Sequence, residues 1–123
     1  MKNFTFLCFL WLHFITFGQN PEGLNFETST YDFGIIDSQT KAKAVFKFKN
    51  SSNSTIEILK IHGKSHCIKI DSSSLRTYAP KERGEILISY DSSCKGPIRR
   101  TVSVFTSQKE HTITLKLIGK VSE

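Results

Sequence analysis

The sequence lacks the local motifs by which most enzyme classes are recognised. It contains no glycine-rich phosphate loop, no HExxH pair and no serine nucleophile elbow, and its acidic residues are scattered singly. Residues 19–123 show no helical periodicity, and no repeat or linker divides them. No apolar run reaches the roughly 20 residues that a membrane-spanning helix needs. These absences argue against a kinase, a zinc protease or a serine hydrolase, and they favour one non-helical domain.

The first eighteen residues differ in character from the rest of the chain. A short basic start, Met1–Asn3, precedes the apolar run Phe4–Phe17, and Gly18 follows as a small residue at a possible cleavage point. This layout is typical of a secretory signal peptide, with an uncleaved N-terminal anchor as the alternative. We therefore predict an exported protein, located in the periplasm, at the cell surface or in the medium, with no transmembrane segment after cleavage. The predicted organisation is a signal peptide (1–18), a disordered lead-in (19–25) and one domain (26–123).

Only two cysteines, Cys67 and Cys94, follow the predicted signal peptide. Exported proteins meet oxidising surroundings, so an even pair of cysteines predicts a disulfide bond. Closing this loop would stabilise the fold by roughly 3–4 kcal/mol on the chain-entropy estimate. The alternative is two free, buried thiols.

The stretch Lys41–Asn50 alternates between two kinds of side chain. Lysines dominate one parity, and the apolar parity comprises Ala42, Ala44, Phe46 and Phe48. Successive side chains of a strand point to opposite faces, so the pattern predicts a half-buried β-strand whose phenylalanines face the core. The next residues, Asn50–Ser54, predict a turn, and turn chemistry explains their two asparagine sequons better than glycosylation does.

Six further stretches alternate in a similar way between turn signals. They are 26–37, 55–62, 67–71, 85–91, 98–106 and 111–121. Seven strands at this spacing predict an all-β, immunoglobulin-like, seven-stranded antiparallel β-sandwich. Gly34 indicates a bulge or a close backbone approach, and a change of phase within 55–62 indicates a bulge or a strand covered on both faces. We expect the first strand (Tyr31–Ile36) and the last strand (Thr112–Val121) to be sheet edges.

Three segments of the chain resemble a known bacterial family. They are Tyr31–Ile36, Val45–Asn50, and Gly84–Asp91 followed by Lys95–Pro97. In this order, and over about residues 26–121, the chain resembles the domain of unknown function 1573 (DUF1573). That domain is exported and immunoglobulin-like, and it is similar to ASH/hydin and major-sperm-protein domains. The resemblance implies the same sandwich fold and offers no catalytic residues to carry over.

The chain departs from the family in its cysteines. The family often carries a Ser-Cys-Gly-Cys-Thr run, whereas Ser65–Ile68 holds only Cys67. If the strands alternate up and down, the loops that hold Cys67 and Cys94 lie at the same end of the sandwich. A bridge could then be retained through a second cysteine that has changed position.

The chain is basic, with 17 lysines and arginines against 11 aspartates and glutamates. Its clearest positive stripe comprises Lys41, Lys43, Lys47 and Lys49. We favour solvated lysines that protect a sheet edge from aggregation. The alternative is a patch for polyanions such as acidic glycan or lipid head groups. Export argues against nucleic acid as a partner.

Four residues could be interpreted as metal ligands, namely His62, His66, Cys67 and His111. They lack a second ligand pair at zinc-finger spacing, and a disulfide-bonded Cys67 could not ligate. We therefore predict loop histidines, no metal site and no cofactor. A Cys67 nucleophile assisted by His66 is disfavoured, because such pairs are neighbours in space rather than in sequence.

The sequence thus predicts an exported, non-enzymatic immunoglobulin-like module that binds another envelope or surface protein. An exposed edge strand could accept a peptide strand from that partner. A basic surface protein that binds polyanions is the first alternative, and a metal- or thiol-dependent enzyme is the second. The partner's identity and the oligomeric state are not specified by the sequence.

Overall fold

The computed structural model describes residues 23–122, which form two β-sheets. The predicted signal peptide and residues 19–22 of the predicted lead-in lie outside the described residues. Within residues 23–122 one 3-10 turn, Ser72–Ser74, lies between the strands. The strands are β1 Leu24–Phe26, β2 Thr30–Ile36, β3 Ala42–Asn50, β4 Ile56–Gly63, β5 Ile68–Ile70, β6 Thr77–Tyr78, β7 Arg83–Tyr90, β8 Gly96–Thr106 and β9 Ile113–Val121.

The two sheets pack face to face, as expected for an all-β sandwich. Their strand orders are β1-β3-β7-β5 and β2-β9-β8-β4-β6. All pairs are antiparallel except β2 and β9, which run parallel. The prediction of a wholly antiparallel sandwich is therefore wrong at this pair. The described part of the chain contains no helix whose length and hydropathy would let it span a lipid bilayer.

The described residues form nine strands where the sequence predicted seven. The first predicted strand divides, because β1 joins one sheet and β2 crosses to the other. A two-residue strand, β6, forms in the stretch Ser72–Tyr78 that was expected to be irregular. The prediction of a disordered lead-in is wrong for Leu24 and Asn25, which begin β1 and pair with β3.

The alternation of β3 is confirmed. Ala42, Ala44, Phe46 and Phe48 are all buried in the core. Phe48 packs edge-on against Tyr78, with 4.9 Å between the ring centroids. Gly84 lies opposite Phe48 on β7, and a Cβ at Gly84 would lie 2.7 Å from the Phe48 ring. The two sheets thus meet at this point through aromatic rings with no room for another side chain.

Both predicted irregularities are register shifts. One lies between Asp32 and Ile35 of β2, and the other lies between Ile58 and Lys60 of β4. Gly119 of β9 has a φ of 143°, and a Cβ there would lie 2.8 Å from the carbonyl oxygen of Gly34. The close backbone approach predicted at Gly34 is therefore real, and it requires glycine on the neighbouring strand.

Asn50 ends β3 and ties three segments together. Its side chain is fully buried, and its Nδ2 donates to the carbonyl oxygens of Ser54 and Tyr78, both at 2.9 Å. Its Oδ1 accepts from the main-chain N–H and the hydroxyl of Ser52. The turn predicted at Asn50–Ser54 is thus organised by a buried amide, which is inaccessible for glycosylation in the folded state.

One of the two predicted sheet edges is confirmed. β2 lies at the edge of the five-stranded sheet, but β9 lies between β2 and β8. The prediction that Thr112–Val121 is an edge is therefore wrong, because β2 crosses from the other sheet and covers it. β3 is likewise flanked on both sides, by β1 and β7.

Candidate functional site

One side of β3 is only partly covered. β1 pairs with Phe48–Asn50, and the last bond on this side runs from the Glu27 N–H to the Lys47 carbonyl, at 2.9 Å. The chain then crosses to the other sheet to form β2. Residues 42–46 of β3 have no strand beside them on this side within the described part of the chain.

The hydrogen-bonding pattern shows which main-chain groups face outward. Residues of a central antiparallel strand bond alternately to one neighbour and then to the other. The Asn50 N–H donates to Glu82 on the β7 side, at 2.8 Å, whereas the Lys47 carbonyl accepts on the β1 side. By this alternation, Lys43 and Val45 direct their N–H and C=O groups away from β7. Among residues 23–122 these four groups have no protein partner; we call the main chain of Lys43 and Val45 the open edge.

Aromatic side chains of β2 close the sandwich beside the open edge. Tyr31 and Phe33 are half-buried, and their ring centroids lie 5.0 Å apart. Tyr31 meets Phe46 of β3 at 6.3 Å, and Phe33 meets Tyr90 of β7 at 6.0 Å. These contacts hold β2 against the core, so the open edge is backed by packed structure.

The predicted lysine stripe is largely assembled by β3. Lys43, Lys47 and Lys49 share its outer face, and Lys41 is exposed just before the strand begins. β3 lies between β1 and β7, but within residues 23–122 its residues 42–46 have no strand on the β1 side, so the protection of a sheet edge by these lysines stays a prediction. Lys43 and Lys47 flank Val45, where the strand is uncovered.

Neighbouring strands modify the charge of this face. Lys47 lies opposite Glu85 on β7, whereas Lys43 lies opposite Ser89, beyond which stands Lys69 of β5. Asp71 follows β5 and has a lowered pKa, chiefly because the Ser73 N–H donates to its carboxylate, with Lys43 as a smaller contribution. The end of the face nearest Lys43 is therefore mainly positive.

A shallow groove that the sequence did not indicate lies beyond β5, beside β7. Its volume is about 490 Å³, and its walls include Ser74, Arg76, Tyr78, Arg83 and Glu85. The Arg76 guanidinium carbon lies 4.0 Å from the centroid of the Tyr78 ring, and burial raises the pKa of the Tyr78 hydroxyl. The buried Ser74 hydroxyl has no hydrogen-bond partner among the described residues. The polar stretch that forms this wall carries no periodicity, so no sequence signal marked it.

The predicted disulfide is present between Cys67 and Cys94, whose Cα atoms are 6.3 Å apart. It joins the start of β5 to the loop between β7 and β8. The Asp91 N–H donates to the Cys67 carbonyl at 2.8 Å, and the Cys94 N–H donates to the Asp91 carbonyl at 2.9 Å. A bonded Cys67 excludes the thiol nucleophile in this state of the protein.

The four candidate metal ligands do not form one site. His66 and Cys67 come together, and the third member of their cluster is Cys94. His62 lies on β4 and His111 lies in the loop before β9, and neither belongs to this cluster. The His66 Nε2 lies 3.7 Å from the Cys67 Sγ and 4.0 Å from the Cys94 Sγ.

Two sheets, with a first segment that crosses from one to the other, define an immunoglobulin-like sandwich. A protein of unknown function from Porphyromonas gingivalis W83 matches with a TM-score of 0.70 at 11% identity, over 85% of this chain and 51% of that one. The ASH/PapD-like domain 7 of human CEP192 matches with a TM-score of 0.63 at 10% identity, over 90% and 94%. The secreted serine protease VesC from Vibrio cholerae matches with a TM-score of 0.64 at 15% identity, over 81% of this chain but 23% of the protease. At these identities the likeness shows the fold alone.

The chain belongs to the family described as Protein of unknown function (DUF1573), whose model matches residues 24–121. This confirms the resemblance carried by the three sequence segments. The chain spans about half of the Porphyromonas protein and about a quarter of the protease. None of the curated proteins compared with the chain matches it in sequence.

Proposed function

We propose that this protein is an exported, non-enzymatic interaction module that binds an extended segment of another protein along the open edge of β3. The observation that carries the proposal is the outward direction of the main-chain groups of Lys43 and Val45. The immunoglobulin-like and PapD-like fold supports it, because such sandwiches offer strand edges as binding surfaces.

An added strand would complete the sheet on this side of β3. Its main chain would lie about 4.8 Å from β3 and would pair with the N–H and C=O groups of Lys43 and Val45. Main-chain hydrogen bonds give affinity in this mode of recognition, and alternate side chains give specificity. The packed rings of Tyr31 and Phe33 keep β2 in place, so β3 has little need to rearrange on binding.

The lysines define the chemistry of the segment. Lys43 and Lys47 lie four residues apart on the outer face, a separation of about 13 Å along the strand. A partner strand with acidic residues at the same spacing would place carboxylates beside both ammonium groups. We therefore propose an acidic, extended segment of an envelope or surface protein as the occupant. The predicted signal peptide and the Cys67–Cys94 bond support an oxidising compartment.

The test uses an eight-residue peptide that alternates glutamate and valine, titrated against the purified protein. Val45→Pro removes an outward N–H without removing a bond to β7, and proline is tolerated on strand edges for this reason. We expect Val45→Pro to weaken binding more than tenfold. The matched control, Val45→Ala, shortens the side chain but keeps the N–H, and it should bind within about twofold of the original protein.

Hydrogen exchange gives a second measurement that does not depend on the variants. The amides of Lys43 and Val45 should exchange quickly in the free protein and become protected when the peptide binds. Equal binding by Val45→Pro and Val45→Ala, or protection elsewhere but not at these amides, would reject the open edge as the binding site.

The second candidate function is the binding of polyanions by the outer face of β3. It is favoured by the concentration of Lys43, Lys47 and Lys49 on one face, with Lys69 nearby. Retention on a heparin column should then fall with added salt and with the double change Lys43→Glu/Lys47→Glu. Val45→Pro separates the two functions, because it should leave heparin retention unchanged while it abolishes strand pairing.

A further inference from the structure

The disulfide of this protein lies against an imidazole that contacts both of its sulfur atoms. The Nε2 of His66 is 3.7 Å from the Cys67 Sγ and 4.0 Å from the Cys94 Sγ. One nitrogen and two sulfurs are thus gathered within 4.8 Å of one another, among residues from the turn before β5 and from the loop before β8. This arrangement is separate from the open edge of β3.

We propose that reduction of the Cys67–Cys94 bond creates a site for a thiophilic metal ion, with His66, Cys67 and Cys94 as its three protein ligands. The distances fit this geometry. Zinc binds nitrogen at about 2.0–2.1 Å and sulfur at about 2.3 Å, so a tetrahedral ion holds a nitrogen and a sulfur about 3.5 Å apart. The two nitrogen-to-sulfur separations need to shorten by only a few tenths of an ångström, and the two sulfurs must move apart once the bond between them is broken.

The site can bind an ion only after the disulfide is reduced. An external dithiol breaks the bond between the sulfurs, delivers two electrons and two protons to give two thiols, and leaves as its own disulfide. A divalent ion then binds the two thiolates and the imidazole, and both thiol protons pass to water. The fourth position stays open to a water molecule, as in other sites with two cysteines and one histidine.

Accessibility and charge favour both steps. Cys67 is buried, Cys94 is half-buried and His66 is exposed, so a reductant reaches the Cys94 sulfur and an ion enters beside the imidazole. Both cysteines are held by main-chain hydrogen bonds, because the Cys67 N–H donates to the Ser65 hydroxyl and the Cys94 N–H donates to the Asp91 carbonyl, so both sulfurs remain near His66 after the bond opens. Asp91, three residues before Cys94 in the same loop, adds a negative charge to this end of the sandwich.

The ligand set selects the class of ion. Two thiolates and one imidazole are soft and borderline ligands, which suit zinc and cuprous ions and disfavour magnesium and calcium. Cobalt(II) is a useful probe, because it occupies zinc sites and its thiolate complexes absorb in the near ultraviolet.

The experiment compares the oxidised protein with protein reduced anaerobically by a phosphine that is then removed. Cobalt(II) is titrated into each, followed by zinc. We expect one equivalent of cobalt to bind the reduced protein with thiolate charge-transfer absorbance, zinc to displace it, and the oxidised protein to bind neither ion. No binding after reduction, or equal binding before and after reduction, would overturn the proposal.

Variants distinguish metal binding at the folded cluster from non-specific metal binding by unfolded protein. His66→Ala should weaken cobalt binding more than tenfold, and Cys94→Ser, which leaves one of the two thiolates, should do the same and at least halve the charge-transfer absorbance. His62→Ala is the matched control, since this exposed histidine lies outside the cluster and its loss should change nothing. Circular dichroism of the reduced protein should retain the β-sheet spectrum. Equal losses in the two histidine variants, or loss of that spectrum, would show that ions bind without this site and would reject it.

Discussion

Replacement of Asn50 by alanine tests how the buried amide joins β3 to the turns around it. The side chain is fully buried, and its Nδ2 donates to the carbonyl oxygens of Ser54, Tyr78 and Ala79. Its Oδ1 accepts two hydrogen bonds from Ser52. Asn50→Ala removes all of these bonds at once, so its effect measures the whole junction.

The expected cost follows from the number of bonds and from the solvent available to the groups left behind. Each net hydrogen bond contributes about 0.5–1.5 kcal/mol, and a buried group left without a partner costs about 1–3 kcal/mol. Ser54 and Ala79 are exposed and can bond to water, whereas Tyr78 and Ser52 are buried. We therefore expect Asn50→Ala to lower the free energy of unfolding by about 2–4 kcal/mol, on the scale of these two costs.

The assay is urea unfolding followed by circular dichroism, with Asn53→Ala as the matched control. Asn53 occupies the same turn and the same kind of sequon, but it is exposed. Its replacement should change the free energy of unfolding by less than about 0.5 kcal/mol. Similar midpoints for the two variants would show that the buried amide is not what connects β3 to the turns.

Three further predictions concern the core, the backbone and the dependence of stability on pH in acid. Phe46→Ala should cost about 3–5 kcal/mol through loss of a fully buried ring, while Lys47→Ala on the opposite face costs under about 0.5 kcal/mol; equal thermal midpoints would contradict the strand parity. Gly119→Ala should cost about 1–3 kcal/mol, because its φ of 143° and its closeness to β2 both oppose a side chain; an unchanged urea midpoint would contradict this. The hydroxyl and the N–H of Ser93 donate to the Asp91 carboxylate and lower the pKa of Asp91 below its ordinary value of 3.8. The stability that these bonds add is present at neutral pH and is lost as the pH falls through the folded-state pKa. Asp91→Asn should therefore flatten the decline in thermal midpoint below about pH 4, and an equally steep decline would count against this linkage.

The resemblance and the fold class depended on local signals that the structure retained. Phe46 and Phe48 lie inside because a period of two places them on one face of any strand they form. Gly34 marked a backbone irregularity, and Cys67 could pair only with Cys94 among residues 23–122. Each of these inferences needed only neighbouring residues or a count of residues, so the sequence sufficed.

The candidate sites depended on which segments meet, and that was decided by packing between distant parts of the chain. β1 stops pairing at Phe48 because the chain crosses to the other sheet at Thr28–Thr30, where the Lys116 N–H donates to the Ser29 carbonyl at 2.8 Å. This crossing uncovers the open edge of β3 and makes β2 the edge of the other sheet in place of β9.

The sequence alone determined which residues of each strand face inward, because side-chain alternation is a property of the local backbone. Only the tertiary structure decided that, among the described residues, no strand lies beside Lys43 and Val45 on the side away from β7, and that His66 touches both sulfurs of the disulfide. Pairing between strands and contacts between loops join residues far apart in the chain. Their free energies depend on the packing of the whole core, which no local pattern encodes.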